Sequence, residues 1–330
     1  MTSLFTNLTS TSTLCTDPMC IFYAVMNTLI FIFGCAGNGL VIWIAGFRMK
    51  KSVITTWYLS LAVSDFIFCC TLPFGVVHKV KEDWIFGSFM CKFRYFIKFL
   101  NMYSSIFVLV IISVDRCVLV MFPVWAQNKL TIRKASVILL LIWIISAVLS
   151  TPAVIFRKLK YEKTTRCSNY FTDTESRIAT TACRFVFGFV IPLFVIISSY
   201  VIIIWKLKSN QMTKSKKPFK IMTALIATFL ICWLPFHTFA FLDIKYKNLE
   251  WVKIGKGIGI SVANANSCLN PFLYAFMGKD FLQFVIVYLQ YQRFGHTFSF
   301  NVFISFFPSW CMNTEVIQTM KEHIRNHVVT

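Results

Sequence analysis

The sequence predicts an all-α membrane protein, a seven-transmembrane helix bundle with a short interfacial eighth helix. Of its 330 residues 57% are hydrophobic and only 14% charged, far from the balance of a soluble domain. Seven stretches, near residues 20–46, 53–78, 92–121, 136–156, 182–205, 219–242 and 252–277, run almost without charge. Each has the roughly 20 residues a helix needs to cross a hydrocarbon core. Lysine and arginine are absent from residues 1–22, but Arg48, Lys50 and Lys51 follow the first stretch and Lys206, Lys208, Lys214, Lys216, Lys217 and Lys220 follow the fifth. That bias puts the N-terminus outside.

The stretches are apolar nearly all round, whereas helices of a soluble protein keep a polar face. The first follows a polar segment with Asp17 and Pro18 and precedes no small-residue cleavage site, so it reads as a retained helix. The expected layout is an outer N-terminus over 1–20, the bundle over 20–278, an amphipathic interfacial helix over 279–290 and a cytoplasmic tail over 291–330. Asn7-Leu8-Thr9 is a glycosylation acceptor on the outer side. The net charge of +20 lies mostly in membrane-flanking loops, where lipid headgroups and not nucleic acid are the expected partner. The 12 cysteines lack the paired short spacings of a zinc site. Cys91 and Cys167 both fall in outer segments, where oxidation is allowed, and are expected to pair. Cys15 and Cys20 also lie outside, free to bridge each other or to reach Cys183.

Polar groups inside a span are costly, so each is a candidate for function. Asn38 occurs in GNGLVIW and Asp65 in LAVSD; Asn101 and Ser105 stand one helical turn apart, and Asn264, Asn266, Ser267 and Asn270 lie in NANSCLNPFLY. They are expected to meet in the core, either as interhelical bonds that serve packing or as a site. Asp65, Asn101 and Ser105, with Asn266 and Ser267 beside them, offer hard oxygens for a small cation; a proton on Asp65 is the other way to neutralise it. At the inner end of the third span Arg116 is expected to pair with Asp115 or to snorkel to the interface. Pro235 and Pro271 break the backbone ladder in spans six and seven.

These residues resemble the rhodopsin-like (class A) G-protein-coupled receptors from about residue 20 to 290. GN, LAxxD, DR, CWxP and NPxxY occur in order, and Trp143, Pro192 and Tyr200 match further markers. The resemblance implies that Arg116 contacts a heterotrimeric G protein, that Trp233 and Phe229 relay changes in the pocket, that Asn270 and Tyr274 rearrange inward, and that Asp65 binds sodium. GNGLVIWIAGFRM, DWIFGSFMCKF, SVDRCVLVMFPVWAQN and the loop KSKKPFK look like the chemoattractant branch that holds formyl-peptide and chemerin receptors. NMYSSIFVLVIIS, TKSKKPFKIM and CWLPFHT look closer to the chemerin side.

Arg94 and Lys98 share one helical face at the outer end of span three, Arg157 ends span four and Arg184 begins span five. A planar guanidinium matches a carboxylate in bidentate fashion, so the expected ligand is anionic. In the resemblance Arg157 and Arg184 fall where chemoattractant receptors hold a peptide's terminal carboxylate. Lys98 stands where amine receptors carry an aspartate. Phe99, Tyr103, Phe236, His237 and Phe241 would receive a hydrophobic terminal side chain. Pairing of these cations with Glu162, Asp173, Glu175 or Asp243, or with lipid headgroups, is the alternative. The implied partner is an anionic peptide or a chemerin-like protein, with signalling through an inhibitory G protein; a formyl-peptide-type receptor and a non-signalling decoy are alternatives.

The chain departs from the resemblance at its ends. Residues 1–22 hold one acid, Asp17, and no tyrosine, which removes the expected acidic tether. The segment HTFSFNVFISFFPSWCMN is aromatic, not acidic and Ser/Thr-rich, so arrestin recruitment is not expected. An enzyme would need a nucleophile with its base or a metal cluster, and the five histidines are scattered with only His237 at membrane depth. A transporter would show two similar halves, and no internal repeat is present. No cofactor beyond an allosteric sodium ion is implied.

Overall fold

The computed structural model describes residues 15, 17–171, 173–209 and 217–277, the side chains of 217–223, 225 and 272–277 excepted. Asn7, the stretch 279–290, the tail 291–330 and the Tyr274 side chain lie outside the described residues. The chain divides into two units, Met1–Leu273 and Tyr274–Thr330; the fold below is that of the first.

Helix α1 (Pro18–Trp43) starts where Asp17 accepts a hydrogen bond from the Met19 amide and Pro18 takes the first helical position, which lacks a use for an N–H. A π-helical turn, Ile44–Arg48, closes it. Helix α2 (Val53–Lys81) begins at a capping box between Ser52 and Thr55. Helix α3 (Gly87–Met121) is the 35-residue central post, against which α2 and the later helices α5 and α8 pack. A short α4 (Pro123–Lys129) leads to α5 (Ile132–Ser150), capped by Thr131, and to α6 (Pro152–Ile155). Helix α7 (Thr174–Phe185) continues through a π-helical turn, Val186–Val190, into α8 (Ile191–Ser209). Helices α9 (Lys217–Lys245) and α10 (Glu250–Met277) carry Pro235 and Pro271 inside them.

Among the described residues six helical stretches are long and apolar enough to cross a membrane: Pro18–Arg48, Val53–Lys81, Gly87–Met121, Ile132–Ile155, Thr174–Ser209 and Ile226–Lys245. The seventh expected span is α10, whose 28 residues are ample in length. Its charged start at Glu250, Lys253 and Lys256 and its run of asparagines make it the least apolar. The fifth span begins at Thr174 and not near 182, because Asp173 accepts from the Ser176 amide at 2.6 Å and starts the helix early. Burial is inverted relative to a soluble bundle. Leu140, Ile144, Val148 and Phe194 face outward, while Asn38, Asp65, Ser105 and Asn270 are fully buried. Such an apolar exterior requires hydrocarbon around it.

The sequence did not reveal a two-stranded antiparallel hairpin, β1 (Arg157–Tyr161) and β2 (Thr165–Asn169). It is tied to α3 by the Cys91–Cys167 disulfide. The Trp84 amide donates to the Thr165 carbonyl at 2.8 Å and Asp83 accepts from the Thr165 amide at 2.7 Å. Cys15 bonds to Cys20, which resolves the choice the sequence left open, and Cys183 stays free and exposed.

The Cys91–Cys167 bond closes a separation of 76 residues. Cys167→Ser is therefore expected to cost about 2–4 kcal/mol, read as a lower melting temperature of the purified protein in detergent. A reducing agent should lower the parent by more than it lowers the variant, which has only the short Cys15–Cys20 loop left to open.

Candidate functional site

The buried polar residues form one network across four helices. Asp65 Oδ1 accepts from Asn101 Nδ2 at 2.7 Å and from Ser105 Oγ at 3.2 Å, and its Oδ2 accepts from Asn270 Nδ2 at 2.6 Å. Ser267 donates to Asn101 Oδ1 at 3.1 Å, and Ser64 lies 2.6 Å from the Ser104 hydroxyl. Asn38 Nδ2 donates to the carbonyls of Gly34 and Ser267 at 2.9 and 2.8 Å, which fastens α1 to α10. Every donor to the carboxylate is neutral. Among the described residues the amide oxygens of Asn266 and Asn270 are buried without a hydrogen-bond partner, so Asn266 borders the cluster without joining its bonds. Asn264 does not enter it either; it donates to Asn27 at 2.7 Å, a pairing that a lone Asn27 in α1 gave no sign of.

At the end of the bundle that carries the hairpin lies a cavity of about 690 Å³ lined by α3, the hairpin, α7, α9 and α10. Lys98, Phe99, Arg157, Arg184 and Phe236 line it as expected, together with Tyr95, Tyr170, Arg177, Asp243 and Lys256. The guanidinium of Arg157 stacks 3.3 Å from the centre of the Tyr95 ring and donates to the Cys167 carbonyl at 3.3 Å, leaving Nε without a partner. That of Arg184 lies 4.1 Å from the Phe99 ring, and Lys98 Nζ is 5.9 Å from Phe236. Burial lowers the pKa of Arg157, an effect that the Tyr95 phenol opposes and the Arg94 guanidinium reinforces. Asp243 does not neutralise this group, because it is held by Arg177 at 2.7 Å and Lys256 at 2.6 Å. Glu162 binds Lys160 instead. Among the described residues no ion pair involves Arg94, Lys98, Arg157 or Arg184.

The remaining expected pocket residues are elsewhere. Arg94 is buried against Tyr23, to whose hydroxyl it donates at 3.2 Å, and fits only because residue 75 is glycine: a Cβ there would meet its Nη2. Tyr103 and His237 lie outside the cavity lining. His237 sits in an aromatic cluster, with ring centres 5.1 Å from Phe236 and 5.4 Å from Phe189. Phe189 stacks on Phe229 at 5.3 Å, and Trp233 meets Phe236 edge-on at 6.0 Å. A void of about 10 Å³, room for about one water, touches Lys98 and Phe236 on one side and Asn101 and Trp233 on the other. It joins the cavity floor to the polar network. Gly259 approaches α9 so closely that a Cβ would stand 3.1 Å from the Pro235 carbonyl.

At the opposite end of α3, Arg116 Nε is 3.8 Å from Asp115 Oδ2. Tyr200 is half-buried in α8. Tyr95 is the principal cavity residue that sequence reasoning missed; nothing in its spacing marks it as the plate on which Arg157 stacks.

The sequence matches the family described as 7 transmembrane receptor (rhodopsin family) over residues 37–274. It is 39% identical over 288 residues to Chemerin-like receptor 1 of Sus scrofa, covering 81% of this chain and 79% of that protein. Chemerin-like receptor 1 of Homo sapiens is 38% identical over 288 residues, with 81% and 77% covered. The fMet-Leu-Phe receptor of Macaca mulatta is 36% identical over 277 residues, with 78% and 80% covered.

Asn101 bonds Asp65 and accepts from Ser267, so Asn101→Ala strips a donor from a buried carboxylate. The expected cost is about 3 kcal/mol, measured as a fall in melting temperature that exceeds that of Ser104→Ala.

Proposed function

The chain belongs to the rhodopsin family of seven-transmembrane receptors, and from that premise we propose that it is a receptor for an extracellular peptide bearing a free C-terminal carboxylate. It is a multi-pass plasma-membrane protein of the chemerin-like and formyl-peptide receptor type, and not an enzyme. The observation that carries the ligand assignment is the cavity whose cations, Arg157, Arg184 and Lys98, have no carboxylate paired with them among the described residues. Both guanidinium groups are seated over aromatic rings. That contact restrains them before the ligand arrives, which reduces the ordering cost of a bidentate contact. Phe99 and Phe236 beside them offer an apolar seat for the ligand's terminal side chain.

Ligand binding acts by differential affinity for two arrangements of the bundle. The peptide presses on Phe236 and Lys98, the floor of the cavity, and through them on Trp233 and the Asn101–Asp65 network. Movement of α9 about Pro235, against Gly259, releases Phe229 from Phe189. At the other end Arg116 leaves Asp115 and receives a G protein of the inhibitory class, with Asn270, Tyr200 and Tyr274 shifting inward. The chemerin-like relatives favour a chemerin-like peptide as the natural ligand.

The polar network also suits an allosteric sodium ion. Asp65, the hydroxyls of Ser105 and Ser267, and the amide oxygens of Asn101 and Asn266 supply oxygen ligands, and among the described residues the oxygens of Asn266 and Asn270 have no donor, which leaves them open to a cation. Bound sodium would neutralise Asp65 and hold the resting arrangement.

Suppression of cyclic AMP by a peptide with an aromatic C-terminus, as free acid and as amide, tests the carboxylate anchor. The acid should be about tenfold to a hundredfold more potent, and Arg157→Ala or Arg184→Ala should abolish the difference. Equal potency of acid and amide on the parent receptor sinks the assignment. For sodium, replacing choline chloride by sodium chloride should raise the melting temperature of the parent and leave Asp65→Asn unmoved.

A further inference from the structure

Of the hairpin's ladder residues Arg157, Cys167, Ser168 and Asn169 line the cavity, while the cations Lys158, Lys160 and Arg166 do not. Paired residues of an antiparallel ladder point to the same side. Arg157, Leu159 and Cys167 thus lie on one face, with Leu159 and Cys167 against Trp84 and Arg157 in the cavity. Lys158 and Lys160, facing Ser168 and Arg166, lie on the other. Lys158, Lys160 and Arg166 are exposed, as is Lys163 in the connecting turn.

Lys160 stands directly opposite Arg166 in the ladder. Like charges so placed destabilise a strand pair, and a two-stranded ribbon has little stability to spare. Glu162 pairs with Lys160 at 2.6 Å and is the one carboxylate between residues 157 and 169; that bond keeps its pKa low and the group ionised. Four exposed cations therefore meet one acid. The Lys158 ammonium lies over the exposed Tyr170 ring, with Nζ 4.9 Å from the ring centre, and Lys158 itself stays exposed. The disulfide to α3 fixes the ribbon, so the cations keep their spacing, and it assigns this end of the bundle to an oxidising compartment. There positive charge has no part in the inner-leaflet attraction that explains basic cytoplasmic loops.

We propose that the outward face of this hairpin is a docking strip for a sulfated polysaccharide of the cell surface, separate from the ligand cavity behind it. Residues spaced two apart on one face of a strand recur at about 7 Å, which suits the regularly repeated charges of a linear polyanion. A folded acidic protein would need an apolar patch beside the charges, and the ladder residues of this face, Lys158, Lys160, Arg166 and Ser168, are all polar, with the Tyr170 ring beside Lys158. None of the strip's cations lines the cavity, so the proposal stands or falls independently of the peptide assignment.

The test is binding of size-defined heparin to the full chain in lipid nanodiscs, as a function of salt. The parent should bind at physiological ionic strength. Combined Lys158→Gln, Lys160→Gln and Arg166→Gln should weaken binding and flatten the plot of log affinity against log salt by about two to three, near one for each cation removed. Arg166→Gln alone, which relieves the like-charge pair and cannot cost folding for that reason, should flatten it by about one. Arg184→Gln in the cavity should leave heparin binding intact. Unchanged slopes in both hairpin variants would overturn the proposal. So would polyglutamate of equal length binding as tightly as heparin, which would mark the strip as a docking face for acidic protein.

Discussion

A carboxylate at the centre of a hydrocarbon-bathed bundle is the constraint on which the other polar contacts depend. Burying Asp65 without partners would cost several kcal/mol. Hydrogen bonds to a charged group each return about 1.5–3 kcal/mol, and Asp65 receives three, from Asn101, Ser105 and Asn270. Cost and return are close. That balance makes the network a place where small changes in α3 or α10 alter the energy of the whole, which is what a two-state receptor needs. Asn38, bonded to the Ser267 carbonyl, extends the same dependence to α1.

The outer cavity poses the opposite problem. Its cations Arg157 and Arg184 lie over aromatic rings, while of the acids on its wall Asp243 is occupied by Arg177 and Lys256 and Asp173 accepts from Ser176. An anion entering there meets groups already stripped of water and already oriented, so it gains more than it would at an exposed lysine. The floor of the cavity touches the void beside Trp233 and Asn101, so the energy gained at the arginines has a short route of packed side chains to Asp65. In the proposed mechanism those two sites are the ends of one lever.

Hydrophobic length and the scarcity of charge made the spans legible in the sequence, and the intramembrane polar residues marked the core, because both signals are local. What escaped was set by tertiary contact. The hairpin reads as a basic loop, and only its disulfide and the Trp84 contact make it a strand pair. Tyr95 and Asn27 look ordinary until Arg157 and Asn264 arrive from distant segments. Tyr103 and His237 are expected at the cavity from the sequence, but the π-helical turn Val186–Val190 brings Gly188 beside both and Phe189 against His237, while Tyr103 stacks on Phe107. Arg94 was grouped with Lys98 by helical spacing, yet Gly75 opens a separate recess for it.

The central claim is that a negative charge shared between α2 and α10 sets the balance between the two arrangements. Exchange of the partners tests it, since Asp65 and Asn270 are joined by a single hydrogen bond of 2.6 Å. Ligand-stimulated nucleotide exchange on a G protein should fall in Asp65→Asn and in Asn270→Asp, one lacking the charge and the other doubling it. The double exchange, which restores one carboxylate and one amide across the same bond, should recover much of the response. A double variant no better than the worse single one would contradict the account.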